Sequence, residues 1–248
     1  MKKIQLSPVV KAVLLAFVPI LFASVAGAVI SIQSFEEPAS IWVQAAAFAV
    51  SSGIGLLFVR KSRHNFSETG FKRPESGWLA RLLYLLPLVV VEALPFATGF
   101  NGANDAARVV ALLVFTCVVG FHEELYFRGL ILRVLEKIGV KKAVVLSAAL
   151  FGLGHAATAL SGADPLYVVL QIAFAALFGV VAAETVFVTG SLIPVMVWHT
   201  AHDFIAFITI DGVEGLGLVL LAIQSVILLG YAIFLWRRLV GGLTARGK

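Results

Sequence analysis

The chain has 248 residues, 60% of them hydrophobic and 13% charged, against roughly 45–50% apolar and 25% charged in soluble domains; with a mean hydropathy of +1.00 this excludes a water-soluble globule. The net charge of +5 does not point to nucleic acid, because the basic residues sit in short clusters beside apolar runs, where they orient helices against a membrane. The single cysteine, Cys117, cannot form an internal disulfide and reads as a small hydrophobe in an apolar stretch.

Eight apolar segments follow one another, near 8–31, 41–60, 78–98, 106–130, 143–160, 166–188, 190–210 and 216–236. Each approaches the roughly 20 residues that a helix needs to cross about 30 Å of hydrocarbon. Long apolar runs, rather than the dyad alternation of an outer-membrane barrel, exclude strands. The expected fold is all-α: a polytopic transmembrane bundle of about eight helices, forming a single membrane domain over 1–248 in contact with lipid.

The first segment follows Lys2 and Lys3 and contains Ala26-Gly27-Ala28, which resembles a signal-peptide cleavage site. Its apolar stretch is longer than a usual signal core, so a retained first helix is expected. Lys11 joins Lys2 and Lys3 at the N-terminus. Arg60, Lys61, Arg63, Lys72, Arg73 and Arg81 fall in the second link, Arg133, Lys137, Lys141 and Lys142 in the fourth, and Arg237, Arg238, Arg246 and Lys248 at the C-terminus. If all eight segments span, these clusters share one side, and the opposite links hold no Lys or Arg apart from Arg108. Positive loops stay cytoplasmic, so both termini are expected in the cytoplasm, with the plasma (inner) membrane as the location and residues 60–77 as a polar cytoplasmic loop.

Ionisable side chains are expensive in a bilayer and mark functional sites. Here they concentrate. His122, Glu123, Glu124 and Arg128 interrupt the fourth segment, His155 the fifth, Glu184 the sixth, and His199, His202 and Asp203 the seventh. At a spacing of four, Glu124 and Arg128 share a helix face, whereas Glu123 points elsewhere. Arg128 taken alone reads as snorkelling to the interface. Gly152 and Gly154 let a neighbouring helix approach beside His155. His199 shares a face with both His202 and Asp203. At about 1.5 Å of rise per residue, Glu123, His155 and His199 meet at one level well inside the membrane. Glu92 stands alone near the outer end of the third segment and reads as interfacial; Glu184 reads as snorkelling.

A carboxylate with two imidazoles has two uses. The glutamate takes a proton from water attacking a carbonyl while other polar groups hold the oxyanion, or two histidines and a carboxylate hold Zn²⁺. Both stay open, although the usual zincin helix is excluded because Tyr126 stands where the second histidine of H-E-x-x-H belongs. A serine nucleophile in a recognisable setting is lacking. A transporter or proton relay would use the same residue types, but neither inverted repeats nor paired broken helices are evident.

Three motifs in order, Glu123-Glu124-x-x-x-Arg128, Phe151-x-x-x-His155 and His199-x-x-x-Asp203, resemble those of the CPBP family, also called the Abi or CAAX-protease family of intramembrane endopeptidases. They mark 106–210 as the catalytic core. The resemblance implies that Glu123 and His155 activate water, that His199 and Asp203 assist the oxyanion, and that Glu124 and Arg128 support the site. It implies a peptide or membrane-protein substrate, cut in a cytoplasm-facing cavity, and leaves metal dependence open. Asp203 replaces the more usual asparagine; a protonated Asp203 would still donate a hydrogen bond, whereas loss of that donor would make the chain an inactive peptide-binding or immunity protein.

Overall fold

The computed structural model describes residues 6–61, 66–73, 85–210 and 214–246. Eight helices account for nearly all of them: α1 (Pro8–Gln33), α2 (Ala39–Lys61), α3 (Leu86–Ala93) with a 3-10 extension Leu94–Thr98, α4 (Ala106–Glu136), α5 (Val140–Gly154), α6 (Pro165–Thr189), α7 (Ile193–Ile208) and α8 (Gly215–Arg246). No strand occurs among the described residues, so the fold is an all-α bundle.

Local chemistry sets several starts. Ser7 caps α1 through its side chain, with Pro8 in the first helical position, and Asp105 accepts from the Arg108 amide at 2.7 Å to cap α4. Asp164 and Pro165 do the same for α6. That helix ends at Gly190, whose φ of 68° is the left-handed closure that glycine adopts without strain.

Six helices are long and apolar enough to cross a membrane, which makes this an integral membrane protein. The third and seventh segments differ from the expectation of eight equal spans: their helices, Leu86–Thr98 and Ile193–Ile208, are shorter. Positions 78–84 of the third segment lie outside the described residues, as do Lys2, Lys3, Arg63, Arg81, Lys248 and residues 211–213. The Ala26-Gly27-Ala28 stretch runs on as regular α1.

The central element is α4, flanked by α2 and α7, while α6 packs between α5 and α8. Two glycines bring these backbones close. A Cβ on Gly120 would stand 3.0 Å from the Thr200 amide nitrogen and 3.2 Å from the Met196 carbonyl, so α4 and α7 meet where only hydrogen fits. Gly152 meets the Ile172 carbonyl in the same way, at 2.8 Å, and joins α5 to α6.

Two helices are locally irregular. Within α4 the backbone winds as a π-helix over Leu125–Ile131, directly after Glu123 and Glu124, and α5 gives way at His155 to a 3-10 turn, His155–Ser161. At one end of the bundle the 99–105 link is tied to the end of α7: the Asn101 amide donates to the Ile208 carbonyl at 2.9 Å, and the Ile210 amide to Gly99 at 3.1 Å. At the other end Leu192 donates to the Gly70 carbonyl at 2.9 Å, joining the 66–73 segment to the α6–α7 link.

Candidate active site

The deepest polar cluster forms where Gly120 lets α7 approach α4. Glu124, fully buried, accepts hydrogen bonds at Oε1 from Arg128 Nη1 at 2.9 Å and from His199 Nδ1 at 2.8 Å. Because a carboxylate only accepts, His199 carries a proton on Nδ1 and turns Nε2 the other way. That nitrogen stands 3.6 Å from Glu123 Oε2 and 3.6 Å from Asp203 Oδ2. Three carboxylates therefore surround one imidazole. Asp203 is also within electrostatic reach of His202 and His155, so the site residues expected on α4, α5 and α7 come together.

Arg128 corrects its own expectation. It does not snorkel: it is fully buried, its guanidinium lies 4.3 Å from the Phe151 ring centre, and its Nε and Nη2 lack protein partners. A buried ion pair is costly unless its geometry is good. Here the short Glu124 contact and the aromatic face offset that cost.

His155 is fixed differently. At the end of α5 its Nδ1 donates to the Phe151 carbonyl at 2.9 Å, and its ring meets the Phe151 ring edge-on at 4.9 Å. With Nδ1 so used, Nε2 is left for the cavity that His155 lines. This cavity, about 570 Å³, runs along Phe151, Phe178, His199, His202 and Asp203. Glu123 is outside that lining and meets the site through His199.

The cavity reaches Asn101, Gly102, Thr209 and Ile210, at the end of the bundle where the 99–105 link meets α7. Lys137, Lys141 and Lys142 lie at the opposite end of α4, a helix of 31 residues, hence about 45 Å away. The cavity mouth thus lies at the end of the bundle away from these lysines, with Arg108 at the start of α4 among its lining residues.

Two further residues differ from their sequence reading, and a third, His122, turns away from the site. Glu92 is not interfacial: it is buried, accepts from Trp198 Nε1 at 2.7 Å and lies 3.1 Å from His202 Nδ1 through both oxygens. Glu184 does not snorkel either, being fully buried with no protein partner for its two oxygens. His122 faces away from the cavity, sharing a hydrogen bond with Ser51 Oγ at 2.9 Å and stacking on Phe48. A carboxylate in an apolar run was the only sequence signal for Glu92; its partners are about a hundred residues away.

Zn²⁺ is one of the two uses that the sequence leaves open for these residues. Among the described residues no three His, Cys, Asp or Glu side chains are grouped so as to hold a metal ion. His199 gives Nδ1 to Glu124 and His155 gives Nδ1 to a carbonyl, each keeping Nε2 for the site as metal-binding imidazoles also do; the misfit to Zn²⁺ lies in the lack of a three-ligand group among the described residues.

Comparison with known proteins bears on the same stretch. Residues 105–205 match the family model described as type II CAAX prenyl endopeptidase Rce1-like. No curated protein matches the chain closely enough to count as a relative. The match takes in all three motifs and implies a membrane protease acting on protein or peptide substrates. The resemblance carried by those motifs is thus matched by an independent comparison: residues 105–205 of this chain match an Rce1-like domain, consistent with the CAAX-protease family.

Proposed function

We propose that the chain is an intramembrane endopeptidase that hydrolyses a peptide bond with a water activated by Glu123 and His155. The observation that carries this reading is His199, pinned at Nδ1 by Glu124 with Nε2 3.6 Å from both Glu123 and Asp203 at the wall of a cavity. Separations of 3.6 Å exceed a direct hydrogen bond and match groups that share an intervening reactant.

In the proposed reaction Glu123 takes a proton from water as the oxygen attacks the substrate carbonyl carbon. His155, facing the cavity through Nε2, orients that water. The carbonyl oxygen gains negative charge, and His199, in its doubly protonated form, donates to it from Nε2; Asp203 donates beside it when protonated. The C–N bond then breaks, and the proton held by Glu123 passes to the leaving amine. Glu124 and Arg128 do no chemistry; they hold His199 and supply the buried cation that makes its carboxylate neighbour tolerable. No metal step is required. By the bias of the basic links we read both termini as cytoplasmic in a plasma (inner) membrane, with the cavity mouth at the other end of the bundle.

The test is cleavage of a fluorogenic peptide library by the detergent-purified chain, comparing wild type with Glu123→Gln and His155→Ala, each with and without a chelator. Loss of about 10²–10⁴-fold in both variants, with wild-type activity indifferent to chelator, is the expected result. Full activity in Glu123→Gln would sink the mechanism. Chelator-sensitive activity would restore the metal route.

A further inference from the structure

The three motifs leave His202 unused, yet it sits on the same helix as His199 and Asp203 and lines the same cavity. Its setting is built. On one side Nδ1 donates to Glu92 on α3, equidistant at 3.1 Å from both carboxylate oxygens. Glu92 is in turn held by Trp198 Nε1 at 2.7 Å, and the Trp198 indole is stacked on Phe178 with ring centres 3.9 Å apart. On the other side the His202 ring stacks on Phe174 at 5.4 Å and 19°. Carboxylate, indole and phenyl together fix the ring plane and the tautomer, which is what a second carboxylate behind a working imidazole does.

Neither Glu92 nor its bond to His202 belongs to the family match, which begins at 105. Glu92 is also costly: among the described residues it pairs with His202 and with no lysine or arginine, and such a buried carboxylate in a membrane bundle is maintained only where its donors are well placed.

We infer that His202 is a substrate-contacting residue, whose Nε2 hydrogen-bonds the backbone of the bound peptide, and that Glu92 and Trp198 are its positioning residues. The Nδ1–H bond to Glu92 leaves Nε2 as the nitrogen available to the peptide. An extended peptide lying along the cavity toward His199 would pass it, since His202 and His199 are one helical turn apart on α7. This inference deepens the endopeptidase reading and rests on it.

The experiment measures kcat and KM for the best-cleaved library peptide in wild type, His202→Phe, Glu92→Gln and the double variant, with Glu123→Gln alongside and thermal midpoints for all. Phenylalanine preserves the stack on Phe174 but offers no hydrogen-bonding nitrogen. His202→Phe is expected to raise KM about tenfold, the worth of one hydrogen bond, with kcat changed less than about twofold. Glu92→Gln is expected to raise KM by about threefold alone and to add nothing in the double variant. A wild-type KM in folded His202→Phe overturns the inference, as does a double variant in which the two effects multiply. If His202→Phe does not fold, Glu92→Gln decides through its own KM, which a purely structural role would leave unchanged. An inactive Glu123→Gln with unaltered His202→Phe would defeat this inference alone, whereas an active Glu123→Gln would defeat the endopeptidase mechanism itself.

Discussion

Two histidines on α7, three residues apart, are each held by a glutamate from another helix, and the two pairs are built on opposite terms. His199 and Glu124 share a site with Arg128, so the inner cluster contains a full charge of each sign, on Glu124 and Arg128, which are both fully buried. His202 and Glu92 have only the neutral Trp198 N–H beside them, and His202 borders the cavity. A buried charge without its partner is penalised far more than a neutral donor lost. The inner pair is therefore anchored by full charges and the outer pair by a neutral donor, while both imidazoles border the same cavity.

That contrast can be broken at four points. The largest effect is expected from Arg128→Met, which strands Glu124 and should cost about 3–5 kcal/mol, read as a lowered thermal midpoint in detergent. Gly120→Ala should follow at about 2 kcal/mol, because its Cβ meets α7 backbone atoms. It should also cut peptidase activity, since that approach sets the Glu124–His199 bond; stability lost with activity intact would show the crossing is not what aligns the site. Trp198→Phe removes one donor to Glu92 and should cost about 1 kcal/mol, and a penalty exceeding that of Arg128→Met would reverse the ranking of the two clusters. Least affected should be Glu184→Gln, within about 1 kcal/mol and on the stabilising side, because it replaces a carboxylate whose oxygens have no protein partner.

The compartment that the cavity faces is separable from all of these. With Cys117 replaced by alanine, Asn101→Cys and Lys137→Cys probe the two ends of α4. Labelling of Lys137→Cys only after the inner face is opened, and of Asn101→Cys from outside, is expected from the basic links.

Composition and run length were enough to read eight helices and the three motif-bearing segments, because membrane insertion depends on local sums of hydropathy. The Glu124–Arg128 pair was legible for the same reason, being a matter of four-residue spacing. What was not legible is non-local or irregular. Nothing near Glu92 in sequence announces Trp198 or His202, so a residue with excellent partners looked like an edge residue. Arg128 and Glu184 were both assigned to the interface on depth alone, yet tertiary packing buries them. The 3-10 turn at His155 and the π winding after Glu124 have no single-residue signature, and both fall at the site, where such irregularities concentrate.

The π winding over Leu125–Ile131 also makes the length of this helix part of its chemistry. A π turn winds one surplus residue into the helix, so the α turns before and after it keep nearly the phase of an uninterrupted helix. Deleting one residue from the regular α turns on either side, where there is no surplus to lose, would turn one half by about 100° relative to the other. Arg128 or the core leucines beyond it would then face the wrong neighbours. Substitutions at these positions are graded in their effects; a single-codon deletion here is a phase error, and the site tolerates composition far better than it tolerates count.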